Sequence, residues 1–298
     1  MTTLKSLPMV SVATVLIALG TSDAVQAAHF FGSPQPLGES FVRSFVTLDD
    51  NKKPLEVGVI LTQGALSLPT SDTAPDISTV LSLPSEASDI AINHFELTYH
   101  PHGEPGLPDV LGVPRFTIDS FLISPQERAL ICPNRDTTGS VPICTPDELA
   151  QVLTPPQPGV VPLGLQPTGV VTPGIGARYF DPDVLFPILT QQQPFTTLYD
   201  YAFFDGQASL LGFGATKAFL ETQSNITKPI KVPSSYTKSG YYPTEYSVTF
   251  DPTSQEYKMV LGGLTYRSVP EIPPKLGLVM LGLLGVVLEW KKRLNKIE

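Results

Sequence analysis

The chain is poor in cysteine, tryptophan, histidine and positive charge: two Cys, one Trp and four His stand among 298 residues, with 19 Lys+Arg against 28 Asp+Glu. Over residues 29–268 the count is 13 basic to 24 acidic, a net charge of −11. Phosphate backbones are gripped by basic stripes, and none exists here, so nucleic acid is excluded as a partner. Acidity of this kind reports solubility more than function. There is no Gly-x-Ser-x-Gly elbow, phosphate loop, His-Glu-x-x-His or EF-hand loop, and Gly212-Phe213-Gly214 lacks the third glycine of a dinucleotide fingerprint. No repeat of 20 to 50 residues is visible. Asp181 and Asp183, on either side of Pro182, read as turn residues before they read as an acid–base pair.

What is present begins at the ends. Residues 1–28 have the grammar of a secretory signal: Lys5, an apolar stretch from Pro8 to Gly20, and small residues up to Ala27 and Ala28, after either of which cleavage is expected. Near the C-terminus Leu276 to Leu288 is uncharged and is followed by Lys291, Lys292 and Arg293. Thirteen helical residues span about 20 Å, short of a hydrocarbon core of about 30 Å unless the flanks join in. The basic cluster places that side in the cytoplasm and the body of the chain outside, the orientation that a signal peptide also demands. A signal helix and a C-terminal membrane helix are therefore expected around one exported domain, 29–268.

Val269-Pro270-Glu271, an apolar segment and Lys291-Lys292-Arg293 together resemble the PEP-CTERM sorting signal of exopolysaccharide-producing bacteria. Ile272 stands where that family's pattern has a second proline, and Glu289 intrudes before the basic cluster. The resemblance implies recognition by exosortase-type machinery. Without cleavage the protein is a membrane-anchored ectodomain; with it, the domain passes to the cell surface or the extracellular space.

Between the ends, patterning is that of strands. Phe41 to Leu48 and Leu55 to Leu61 read as a hairpin around Asp49–Pro54, Thr196 to Phe204 and Gln207 to Leu211 as a second around Asp205-Gly206, and Tyr246 to Phe250 with Glu256 to Tyr266 as a third. Ile90 to Tyr99 alternates as a half-buried strand, with Phe116 to Ile123 as its partner. Ser124-Pro125-Gln126-Glu127 and Thr145-Pro146-Asp147-Glu148 are helix starts, the first helix running to about Ile131. Residues 154–173, rich in Pro and Gly, read as a long surface loop. Three hairpins and only short helices predict a mainly β fold, an antiparallel barrel or sandwich. Cys132 and Cys144 are expected to form a structural disulfide; their spacing is wrong for a metal pair, and free thiols fit poorly with export.

One constellation invites chemistry. His94, His100 and His102 fall within nine residues, beside Glu96 and Glu104. Neutral imidazoles two apart in a continuing strand bind a divalent metal, the one cofactor the sequence suggests; Pro101 and Gly103 favour a hydrogen-bonded loop instead. Here the chain resembles a TTHB-like family of exported bacterial domains, through His94-Phe95, His100-Pro101-His102-Gly103-Glu104-Pro105, Val113-Pro114-Arg115-Phe116, Gly174 to Asp181, Tyr201 to Gly206, Thr216 to Leu220 and Ser239 to Pro243. The resemblance implies one fold unit over 38–267, with no reaction class attached. It also implies that a polar or metal site of relatives falls here on Arg115, Thr117, Asp119, Arg178, Gly212 and Glu104. Guanidinium in place of imidazole removes ligands and repels a cation, so that site is lost or remade. Arg115, Asp119 and Arg178 then form a candidate pocket for a small anion.

The first expectation is a non-enzymatic envelope or extracellular-matrix component with the membrane, the export machinery and a second copy of itself as partners. The alternative is a metal- or anion-binding protein, or a metal-dependent enzyme, using the histidines. A third reading, a carbohydrate surface of Tyr199, Tyr201, Tyr241 and Tyr242, predicts exposed rings.

Overall fold

A computed structural model describes residues 27–71, 73–103, 110–135 and 142–269. In chain order the strands are β1 (Ala28–Phe31), β2 (Gln35–Leu37), β3 (Ser40–Leu48), β4 (Pro54–Thr62), β5 (Ile77–Ser82), β6 (His94–His100), β7 (Arg115–Phe121), β8 (Asn134–Arg135), β9 (Pro142–Ile143), β10 (Gln166–Thr172), β11 (Gly176–Phe180), β12 (Thr197–Phe204), β13 (Gln207–Thr216), β14 (Ile226–Pro229), β15 (Gly240–Tyr242), β16 (Glu245–Asp251), β17 (Glu256–Gly262) and β18 (Thr265–Arg267). The α-helices are short: α1 (Pro125–Arg128), α2 (Pro146–Val152), α3 (Pro182–Leu189) and α4 (Lys217–Glu221). The fold is mainly β and antiparallel, as expected. Among the described residues no helix is long and apolar enough to cross a membrane. The expected signal and membrane helices lie outside the described residues.

Two seven-stranded sheets carry the architecture. The first runs β1-β3-β4-β17-β16-β14, with β2 also paired to β3; the second runs β10-β11-β12-β13-β7-β6-β5. Neither closes into a barrel. Alternation explains how they meet: Val57, Val59 and Leu61 of β4 and Tyr257, Met259 and Leu261 of β17 share one buried cluster with Phe95, Leu97 and Tyr99 of β6 and Leu211, Phe213 and Ala215 of β13. Each large side chain buried this way contributes about 1.5–3 kcal/mol of hydrophobic free energy.

Local chemistry sets the hairpins. Asp49 Oδ1 accepts from the backbone N–H groups of Asn51 (2.9 Å) and Lys53 (2.8 Å), folding the first turn. Asp205 and Gly206 both take positive φ, 50° and 75°, the requirement of the tight two-residue turn that joins β12 to β13. Both helix starts close capping boxes, Ser124 with Glu127 and Thr145 with Glu148.

The structure corrects several expectations. The first helix stops at Arg128 instead of Ile131, and Cys132 then takes a φ of 49°, which no helix continues through. Residues 154–173 are not all loop: β10 pairs antiparallel with β11 at the edge of the second sheet, where Pro167 needs no ladder donor. The third hairpin ends at Gly262, and β18 pairs separately with β15. Tyr199 and Tyr201 are buried core residues, so the four tyrosines do not form an exposed row.

A charged face on the second sheet

The outer face of the second sheet gathers ionisable side chains from five elements, β6, β7, β11, β12 and α1. Cross-strand register puts Glu96 of β6 opposite Asp119 of β7, Asp119 opposite Gly212 of β13, and Gly212 opposite Asp200 of β12. Because side chains alternate, all of these point away from the core that Leu97, Ile118, Leu211 and Tyr199 fill. In the neighbouring row His94 faces Phe121, and Ala202 faces Arg178 of β11.

Two guanidinium groups tie the acids at the ends of the row. Arg128, from α1, pairs with Glu96, and Arg178 pairs with Asp200. Arg128 makes two further contacts: its Nε donates to Gly174 O at 3.1 Å, and its guanidinium lies 4.1 Å from the centroid of Phe121. His94 stacks on the same Phe121 ring, centroids 4.7 Å apart and planes at 7°. Burial, with the Arg128 charge adding to it, pushes the His94 imidazole down to about 4, so it is neutral near pH 7.

Asp119 lies between the two ion pairs and belongs to neither. It is 7% exposed, and its Oδ1 is shut off from solvent with no hydrogen-bond partner. Burial pushes its carboxyl up to about 6; Arg178 and Arg128 pull the other way, while Asp200 and Glu96 add to the rise. The floor beside it is bare backbone. A Cβ at Gly212 would stand 2.6 Å from Asp200 Oδ1 and 3.1 Å from Asp119 Oδ1, so both carboxylates lean into the space that glycine leaves open. Such a notch can hold a proton, exchange a hydrogen bond, or present two oxygens to a small cation.

Of the candidate pocket, Asp119 and Arg178 do meet on this face. Arg115 does not join them: four residues along β7 from Asp119, it is about 13 Å away, beside His100 and Thr216, and its Nη1 donates to Leu111 O at 3.1 Å. The histidines do not converge either. His94 and His100 sit at opposite ends of β6, six residues or about 20 Å apart. His100 Nδ1 is 2.8 Å from Asp76 Oδ2, and His102 lies in the turn after the strand, its Nδ1 enclosed without a hydrogen-bond partner. Glu104 is outside the described residues. Among the described residues no group of three or more His, Cys, Asp or Glu side chains is arranged to hold a metal ion.

Cys132 and Cys144 are disulfide-bonded, with Cα atoms 4.5 Å apart, in the lobe that carries α1, β8 and β9. Asp181 and Asp183 serve local structure: Asp181 caps α3, and Lys231 bridges both carboxylates at 2.7 and 2.6 Å. The described residues of the two terminal signals belong to other elements. Ala28 opens β1, opposite Leu48, and the Val269 N–H donates to Ser239 Oγ at 2.9 Å. Pro270, Glu271, Lys291, Lys292 and Arg293 lie outside the described residues.

Sequence reasoning missed Asp200 and Arg128 as members of this face. Alternation along Leu198, Asp200 and Ala202 does mark Asp200 as facing away from the core, but which acid it approaches depends on register across three strands. Set against known proteins, the chain matches no protein-family model, no curated protein and no solved structure.

Proposed function

We propose that this is an exported β-domain, held at the outer face of the membrane or passed to the cell surface by its PEP-CTERM-like tail, and that it serves there as a non-enzymatic envelope or extracellular-matrix component. The observation that carries the reading is the Cys132–Cys144 disulfide, since such bonds persist in oxidising compartments and are rare in a reducing cytosol. The charged face supports it as well: Arg128 and Arg178 are committed to Glu96 and Asp200, an arrangement that stiffens a surface. Fractionating cells that express the full chain, with thiol alkylation before lysis, tests the proposal. A chain protected from alkylation and accessible to external protease supports it, whereas a cytoplasmic chain with free thiols overturns it. Replacing Val269-Pro270-Glu271 by alanines then separates retention from release: a domain still found in the medium is not sorted through that motif.

A second reading, a small-ligand role for the same face, is favoured by the enclosed and unpartnered Asp119 Oδ1 over Gly212. Elemental analysis of the purified protein, beside Asp119→Asn and a His100→Ala/His102→Ala double variant, tests it. About one metal per chain lost in Asp119→Asn places a cation at the notch, loss only in the histidine variant places it at the turn after β6, and no metal in any form removes the metal version.

A further inference from the structure

Away from the charged face, a cavity lies at the end of the second sheet where β7 finishes and β13 begins. It holds about 380 Å³, within the range of small-molecule sites of roughly 300–1,000 Å³. Its floor is the core itself: Val160, Tyr201 and Leu211, all members of the main buried cluster, line its bottom. A pair of tyrosine rings forms one wall, Tyr236 and Tyr242, with centroids 4.3 Å apart and planes at 47°. The Tyr242 hydroxyl is engaged, donating to Lys238 O at 2.8 Å, so that residue offers its ring face.

The lining mixes neutral polar groups with two charges. Gln207, Ser235 and Thr237 carry neutral side chains that both donate and accept, and among the described residues none of the three has a side-chain hydrogen-bond partner. The two charges, Glu127 and Lys238, have opposite sign, so the cavity has no net preference for an ion. Ring faces beside neutral donor–acceptor groups, over an apolar floor, match a ligand with C–H faces and an edge of hydroxyl groups.

We propose that this cavity binds one or two uncharged sugar rings, stacked against Tyr242 and hydrogen-bonded through Gln207, Ser235 and Thr237. The inference does not rest on where the protein is located or on the charged face. The test is saturation-transfer NMR on the full chain in a sugar-free amine-oxide detergent, with glucose, N-acetylglucosamine and cellobiose as probes at up to about 20 mM, well above the ~1 mM dissociation constants of weak sites. Saturable transfer to the ring protons of at least one sugar is expected. Gln207→Ala and Ser235→Ala, both surface changes that leave the core intact, weaken it about two- to tenfold each, as the loss of a neutral hydrogen bond does. Tyr242→Leu, which keeps apolar bulk but no ring, weakens it about fivefold or more. Three outcomes overturn the proposal: no saturable transfer with any of the sugars, transfer unchanged in all three variants, or complete displacement of the sugar by hexanoate, which would mark the cavity as an acyl-chain site.

Discussion

Asp119 and Asp200 approach each other across Gly212, each with an Oδ1 close enough to touch a Cβ if one stood there, at 3.1 and 2.6 Å. A side chain at 212 would therefore have to displace a carboxylate whose other oxygen is paired with Arg178. Gly212→Ala is expected to destabilise the fold by about 1–3 kcal/mol, the usual cost of overpacking. Urea unfolding measures it; a change within experimental error would mean that the two carboxylates move aside freely.

The pH dependence of stability carries two opposing contributions from neighbouring residues. Asp119 loses its proton near 3.8 in an unfolded chain and at about 6 in the fold, so over that interval the folded protein holds more protons and stability falls as pH rises. His94 gains its proton near 6.5 unfolded and only at about 4 folded, so there the unfolded chain holds more protons and stability rises with pH. The windows overlap between about 4 and 6, and the slopes cancel in part. Asp119→Asn should expose the rising slope and add up to about 3 kcal/mol above pH 6, roughly two pKa units at about 1.36 kcal/mol each. His94→Gln should expose the falling slope. Unfolding free energies from about pH 4 to 7 decide the matter; parallel curves for all three proteins would refute the pairing.

Arg178 and Asp200 are both partly buried, at 24% and 20% side-chain exposure. Removing one partner strands the other charge. Arg178→Met and Asp200→Asn are each expected to cost about 1–3 kcal/mol, with the double variant costing less than the sum of the two. Strict additivity in the double-mutant cycle would show that the pair is not coupled. Arg178→Met should also raise the Asp119 carboxyl further, because that guanidinium is the larger of the two charges holding it down.

The disulfide closes a short loop, 12 residues in sequence separation. Replacing Cys132 and Cys144 together by serine is expected to cost about 3 kcal/mol on the chain-entropy estimate for a loop of that size. The loss should fall first on the lobe containing α1 and α2, read as faster hydrogen exchange there than in β13. Uniformly faster exchange across both sheets would mean instead that the bond stabilises the fold as a whole.

Much of the secondary structure was legible because its determinants are local. The Asp49 turn, the Asp205-Gly206 turn and the two capping boxes depend on residues within four positions of each other. The alternation of β6 showed which side chains share a face, since Phe95, Leu97 and Tyr99 go to the core and His94 and Glu96 do not. The edge strand β10 was illegible for the opposite reason: Pro and Gly argue against a strand, and only pairing with β11 along one side makes those residues tolerable.

By itself, then, the sequence determined the strand-and-turn alphabet, the cysteine pair and the acidic balance, all properties of residue type and short-range order. Tertiary structure alone decided which charges meet. The histidines are near in sequence but lie along an extended strand at about 3.3 Å per residue, which carries His94 and His100 apart. Glu96, Asp119 and Asp200 are far apart in sequence, and the registers of four strands put them in one row. Proximity along a strand is lost to its rise, whereas proximity across a sheet is created by pairing that no local pattern encodes.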